Sequence, residues 1–228
     1  MYANITPFKK EYRYSLILFD LDGTLTDPAV GITRSVQYAL AKFGLQAVPS
    51  DLLPFIGPPL QESFQCFYSF DDKQARQAVE YYREYYAGTG LYENAVYPGI
   101  GRLLQELRAS GKELAVATSK PTCFAEKVLR HFGLDTFFTV IAGSNLDGTR
   151  VRKSEVISYA LERVTGRNEK FVPVMVGDRE HDVIGARESG IDSVAVTYGY
   201  GSREELQSAG PTYLVHTVVE LGELLGGA

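Results

Sequence analysis

The stretch Leu16-Ile17-Leu18-Phe19-Asp20-Leu21-Asp22-Gly23-Thr24 decides how this chain is read. A short apolar run breaks off onto Asp20, and the polar string behind it carries neither strand nor helix spacing. Two further runs end the same way, Leu114-Ala115-Val116-Ala117 on Thr118 and Val174-Met175-Val176-Gly177 on Asp178. Short apolar runs rich in branched residues, alternating with helical patterns, read as buried strands of a parallel sheet. Such sheets bind ligands outside the carboxyl ends of their strands. Asp20, Thr118 and Asp178 are therefore predicted to face one crevice.

Outward from these strands, regular β/α alternation begins at Tyr97-Pro98-Gly99. Helices are predicted over 100–109, 122–132, after Lys153, over 180–189 and over 218–225. Strands are predicted up to Thr118, over 138–142, up to Val176 with Pro173 at its start, and over 193–196. This is an α/β fold, a Rossmann-like doubly wound parallel sheet with right-handed crossovers. Between 28 and 95 no strand pattern occurs. Val36, Leu40 and Phe43, and then Ala75, Val79, Tyr82 and Tyr86, recur at helical spacing. Asp71 and Asp72 stand where helix N-caps belong, and Gly88 and Gly90 stop the second helix. The chain thus reads as a discontinuous core, 1–27 with 96–228, and a small all-helical cap, 28–95, inserted after the first strand above the crevice. Tyr82 and Tyr86 are expected in the core, and Tyr81 or Tyr85 at the cap surface or a subunit contact.

Composition narrows the function. The chain has 228 residues, of which 45% are hydrophobic and 22% charged, enough for a packed core. Its formal net charge of −5 disfavours a nucleic-acid partner, which wants a basic surface, but leaves room for a small phosphorylated metabolite. Cys66 and Cys123 lack disulfide or metal-ligand spacing and are expected as buried or incidental thiols. No apolar run reaches the ~18 residues of a membrane span. Lys9-Lys10 is followed by Glu11-Tyr12-Arg13 instead of a signal-peptide apolar region, so a cytoplasmic monomer or homodimer is expected. Gly99-Ile100-Gly101 imitates half of a dinucleotide fingerprint but follows Tyr97-Pro98 and lacks the third glycine.

Asp20 and Asp22 lie two apart, so on extended backbone both side chains leave on one side. With Asp178 and Asp182 added, the carboxylates repel by about 4 kcal/mol per pair at ~4 Å and an effective dielectric near 20. Such a cluster needs a cation, and an all-oxygen donor set makes Mg²⁺ the natural one. Thr118 and Ser119 can donate hydrogen bonds to a phosphoryl group, and Lys153, beside Arg150 and Arg152, can supply positive charge. A carboxylate nucleophile, magnesium, lysine and hydroxyl donors are the parts of phosphoryl transfer through an aspartyl phosphate. Lys120 is expected either to pair with a carboxylate near the site or to cover the surface. Arg179 and His181 are expected in structural roles, and Gly199-Tyr200-Gly201 as a turn near the entrance.

With these motifs in order, the chain resembles the haloacid dehalogenase superfamily of phosphatases over nearly its full length. The motifs are Asp20-Leu21-Asp22-Gly23-Thr24-Leu25-Thr26-Asp27, Thr118 within Val116-Ala117-Thr118-Ser119-Lys120-Pro121, Lys153, and Gly177-Asp178-Arg179-Glu180-His181-Asp182. The resemblance implies that Asp20 is nucleophile and metal ligand. It makes Asp22 the acid that protonates the leaving alcohol and then activates water, its main-chain carbonyl also on magnesium. Thr118 and Lys153 would hold phosphate, Lys153 also restraining Asp20. Asp178 would bind the metal, and Asp182 would ligate it or orient its water. Within the superfamily the chain is most similar to phosphoglycolate phosphatases and the bacterial 5′-nucleotidase-like branch. Phe55-Ile56-Gly57-Pro58-Pro59-Leu60 and Tyr198-Gly199-Tyr200-Gly201-Ser202 favour the latter.

The expected activity is Mg²⁺-dependent hydrolysis of a small phosphomonoester, 5′-nucleotidase-like, with phosphoglycolate as the alternative substrate. Gly57 and Pro58, in a loop between cap helices, are the candidate specificity element. A sugar-phosphate mutase is disfavoured because 28–95 contains no histidine. From another class, a receiver-like phosphoacceptor or a phosphate-sensing protein would use similar strand-end residues without fast turnover, but has no use for Asp22 or a cap.

Overall fold

A computed structural model describes residues 13–165 and 171–226; the Lys9-Lys10-Glu11-Tyr12 segment lies outside them. The first strand, β1 (Leu16–Phe19), is fully buried along its length. Alternate side chains serve opposite faces of the sheet, as strand geometry requires. Ile17 and Phe19 join one apolar cluster, while Leu16 and Leu18 join another. Burial of each such side chain contributes roughly 1.5–3 kcal/mol. Helices consequently cover both faces, which makes β1 a continuous apolar run instead of an alternating one.

After β1 come β2 (Thr26–Asp27), α1 (Ala29–Ala41), a 3-10 turn (Pro49–Phe55), α2 (Leu60–Tyr68), α3 (Asp72–Gly88) and β3 (Ala95–Val96). The second half is α4 (Ile100–Ala109), β4 (Glu113–Pro121), α5 (Thr122–His131), β5 (Val140–Ser144), α6 (Lys153–Thr165), β6 (Pro173–Gly177), α7 (Glu180–Glu188), β7 (Asp192–Val196), α8 (Arg203–Ala209), β8 (Tyr213–Val215) and α9 (Val218–Leu225). The large sheet runs β5-β4-β1-β6-β7-β8, and its neighbouring strands pair in parallel. Chain order reverses at β1, so the crevice of this α/β sheet opens there. The helical stretch leaves and re-enters the sheet through β2 and β3, which pair antiparallel with each other.

Register positions the site. Phe19 lies opposite Val116 on β4 and Val176 on β6. Asp20, Thr118 and Asp178, each one or two residues further on, therefore emerge at one edge.

Some elements differ from the expected ones and others meet the expectation. The strand expected over 138–142 begins at Val140, because Asp135–Phe137 forms a 3-10 turn and Phe138 packs into the core. Pro173 heads β6, where its missing N–H is least harmful. Asp71 caps α3 in a reciprocal capping box with Gln74. Cys66 and Cys123 are free but exposed, not buried: each falls on the outward side of its short helix. No helix among the described residues is long and apolar enough to cross a membrane.

Candidate active site

Asp20 stands directly beyond β1, almost buried, with Oδ1 accepting the Leu21 N–H at 2.7 Å. The backbone leaves its extended course directly beyond Asp22, which bridges to Thr26. It turns at Gly23 (φ +80°), and the N–H groups of Leu25 and Thr26 both donate to the carbonyl of Leu21. Asp22 lines the same cavity as Asp20. Its Oδ2 is 2.5 Å from Lys120 Nζ, while its Oδ1 is buried without a hydrogen-bond partner among the described residues. Burial raises the pKa of Asp22, against the lowering influence of Lys120.

Behind Asp20 lie Asp178 and Asp182, and carboxylate oxygens of the three come within 4.8 Å of one another. Asp178 is fully buried; Oδ2 accepts the Tyr200 N–H at 2.7 Å and Oδ1 the Thr24 hydroxyl at 3.2 Å. Asp182 Oδ2 accepts the Arg179 N–H at 3.0 Å. Lys153 opens α6 and directs its ammonium at Ala117 O (3.1 Å), Asp20 Oδ1 (3.0 Å) and Asp182 Oδ1 (2.7 Å). Those contacts match the three donors a lysine has. Burial opposes its charge, but Asp182 and Asp20 outweigh that and hold its pKa above the ordinary range.

Three carboxylates against one ammonium leave two negative charges in a buried space. Burial and the neighbouring Asp182 and Asp20 carboxylates drive the pKa of Asp178 well upward. Burial likewise pushes Asp182 up to about 6, in spite of Lys153. A dication between these oxygens would balance the charge, and an all-oxygen donor set suits a hard ion.

The cavity in front of Asp20 measures about 470 Å³. Thr118, Ser119 and Lys120 line its sheet side, and Gly57, Pro58 and Tyr82 its helical side. Thr118 and Ser119 are thus near Asp20 and Asp22, as expected, and the Gly57-Pro58 loop faces them. Lys153, Asp178 and Asp182 stand one layer behind.

Of the two expectations for Lys120, the structure bears out pairing with a carboxylate near the site. Lys120 is buried against Asp22, and Tyr86, expected as core, reaches Lys120 Nζ with its hydroxyl at 2.6 Å. The signal for Lys120 was its place two residues beyond Thr118, on the end of β4 that lines the cavity. Arg179 bridges Ile56 O and Glu205. The 198–201 loop wraps Asp178 and Thr24 instead of lying at an entrance, with the Gly201 N–H on Asp178 O and the Tyr198 hydroxyl on Thr24 O.

Comparison with known proteins agrees with this geometry. The family model described as haloacid dehalogenase-like hydrolase matches residues 17–196. A 5′-nucleotidase of Pseudomonas aeruginosa is 48% identical over 93% of this chain and 96% of its own. The tyrosine-protein kinase PtkA of Mycobacterium tuberculosis is 43% identical over 92% of this chain and 72% of its own. A phosphoglycolate phosphatase of Vibrio parahaemolyticus is 25% identical over 92% of this chain and 95% of its own. The crystal structure of a predicted phosphatase from Clostridium acetobutylicum superposes with a TM-score of 0.87 at 50% identity, covering 92% of this chain and 97% of that one. Strand-end carboxylates, lysine and threonine on a parallel sheet, and a family match spanning most of the sequence, lead to one assignment: the chain belongs to the haloacid dehalogenase-like hydrolase family.

Proposed function

We propose that this chain is a Mg²⁺-dependent phosphomonoesterase acting on nucleoside 5′-monophosphates, with residues 28–95 as a cap over the substrate. One observation carries the reading. Asp20 and Asp22 border the same cavity, while the buried Asp178, Asp182 and Lys153 back Asp20.

Asp20 attacks phosphorus as the bond to the leaving oxygen breaks, and Asp22 delivers a proton to that oxygen. Asp22 then takes a proton from water as it attacks the aspartyl phosphate, which returns Asp20 and releases phosphate. Thr118 and Ser119 donate to the phosphoryl oxygens. Lys153 restrains Asp20 and Asp182, and a direct phosphate contact would exchange one of its present partners. Asp20, Asp178 and the main-chain carbonyl of Asp22 would hold Mg²⁺, with Asp182 on the ion or on its water. When bound, the ion neutralises charge on the nucleophile and the transferring group.

For the leaving group, the cavity volume and its aromatic wall of Phe55, Tyr82 and Phe124 suit a nucleoside better than a two-carbon acid. The 48% identity to a 5′-nucleotidase supports the same choice. Excluding bulk water beneath the cap strengthens each charge contact.

The test is kcat/KM of the purified chain with Mg²⁺ on nucleoside 5′-monophosphates, phosphoglycolate and 4-nitrophenyl phosphate, beside Asp20→Asn. Highest kcat/KM on nucleotides, and none in the variant, is expected. Preference for phosphoglycolate would overturn the substrate, and a stable phosphoprotein without turnover would overturn the activity. ATP with a tyrosine peptide belongs in the panel, since one relative is named a kinase; transfer to the peptide would count against hydrolysis.

A further inference from the structure

Lys120 Nζ lies between two oxygens, Asp22 Oδ2 at 2.5 Å and the Tyr86 hydroxyl at 2.6 Å. The three residues come from separate elements: the turn after β1, strand β4 and helix α3. All are buried or nearly so. Tyr86 is held in place by stacking on Tyr82 at 5.2 Å and by an edge contact with Phe124 at 5.5 Å, so its hydroxyl has one direction available.

This arrangement distinguishes the two oxygens of Asp22. Oδ2 is occupied by an ammonium that donates to it. Oδ1 is buried and has no partner among the described residues. A carboxyl group whose Oδ2 accepts from a lysine carries a transferable proton on Oδ1. Lys120 thereby sets which oxygen of Asp22 is left to carry the proton, and α3 supplies the hydroxyl that also accepts from Lys120.

We propose that Lys120 and Tyr86 are positioning residues for Asp22, so that proton delivery is aligned only when α3 is docked on the sheet. The inference rests on the proposed role of Asp22 as acid. In the step concerned, the bond from phosphorus to the leaving oxygen breaks and its electron pair stays on that oxygen. The proton on Asp22 Oδ1 moves to the same atom. Lys120 and Tyr86 neither gain nor lose a proton.

The experiment compares leaving groups of similar size that differ in their need for a proton: 4-nitrophenyl phosphate, phenyl phosphate and benzyl phosphate. The quantity read is kcat/KM, which reports the steps through departure of the leaving group. In Tyr86→Phe, which keeps the ring and its packing, benzyl phosphate should lose on the order of tenfold and 4-nitrophenyl phosphate far less, within the ~10²–10⁴ that acid–base catalysis supplies. Lys120→Met should widen the same gap, and Lys120→Arg should recover part of it. Equal losses on all three substrates in Tyr86→Phe, with the fold intact by circular dichroism, would overturn the proposal.

Asp22→Asn is the control for the underlying reading. If it fails to open a gap between benzyl and 4-nitrophenyl phosphate, Asp22 is not the acid and both readings fall. If it opens the gap and Tyr86→Phe does not, only the positioning inference falls.

Discussion

Arg179 Nη1 donates to the main-chain oxygen of Ile56 at 2.5 Å, which joins the residue after Asp178 to the loop entering α2. Its Nε is 2.8 Å from Glu205 Oε1, so the guanidinium is oriented from the sheet side and reaches toward the helical stretch. Lysine cannot reproduce this fork. Arg179→Lys is expected to raise KM on the order of tenfold and change kcat less, matching about 1.5 kcal/mol for a lost charge-assisted hydrogen bond. Steady-state kinetics on the preferred nucleotide measure this, and an unchanged KM would show that the contact does not hold the loop over substrate.

Gly57 follows Ile56 with φ +104°, and a Cβ there would come within 2.9 Å of Arg179 Cγ. Alanine at this position is both strained and crowded against the arginine. We expect Gly57→Ala to destabilise the protein by about 1–3 kcal/mol, read as a lower midpoint in urea. Because Gly57 borders the cavity, substrate preference should shift more than the rate on 4-nitrophenyl phosphate. Uniform loss on every substrate would remove Gly57-Pro58 as a specificity element.

Glu205 provides a pH signature. Burial works against its charge, but hydrogen bonds from Arg179 and from the Glu180 N–H hold its pKa below the ordinary glutamate value. A carboxylate with a lowered folded-state pKa adds stability above its unfolded pKa and loses it as pH falls through the folded value. Glu205→Gln should therefore be less stable than the parent at pH 7, and the difference should shrink below pH ~4. Denaturant midpoints at the two pH values check this. A gap that is constant with pH would mean the charge on Glu205 does not matter.

The central strands β1, β4 and β6 were legible because they are buried on both faces and their apolar runs break off onto a residue of different character. Asp20, Thr118 and Asp178 could be gathered from that punctuation alone. Other parts left weaker traces. Helix α2 (Leu60–Tyr68) opens behind Pro58-Pro59 and is too short to repeat a period convincingly, so the spacing predicts no helix there. Strand β8 has only three residues, too few for alternation to register. Tyr86 packs in the core as its spacing predicts, but a phenol at helical spacing carries no mark of what its hydroxyl meets. That contact depends on the docking of α3 beside β4, a tertiary fact without a local pattern. The same holds for Arg179, whose partners lie on the 3-10 turn's far end and on α8.

The carboxylate cluster predicts an unusual stability effect of metal. Mg²⁺ that binds only the folded state raises stability by about 2.7 kcal/mol at a hundred times its Kd. In Asp178→Asn this gain should fall sharply. The same variant should melt higher than the parent when both are in EDTA, because one buried negative charge beside Asp20 and Asp182 is gone. The Thr24 hydroxyl can reverse to accept from the new amide, and Tyr200 N–H keeps its acceptor. Thermal melts of both proteins, with EDTA and with Mg²⁺, test the pair of signs. A metal-free variant less stable than the parent would mean that the site is not strained by its own charge.

Val79, Tyr82 and Tyr86 fall at i, i+3 and i+7 on α3, a spacing that usually marks a face packed in the core. Here Val79, Tyr82 and Tyr86 all border the cavity before Asp20. Val79 is half-buried, packs against the core and borders the cavity, so a larger side chain extends into the cavity. Val79→Trp is expected to occupy space needed by a nucleoside while leaving Asp20, Asp22 and Thr118 untouched. Pocket contacts of this kind discriminate by about 10–200-fold, so kcat/KM for the nucleotide should drop at least ~10-fold while phosphoglycolate stays within ~2-fold. Parallel measurement on the two substrates decides it. Should nucleotide turnover survive the tryptophan, the leaving group sits elsewhere, and the cavity volume no longer argues for a nucleoside.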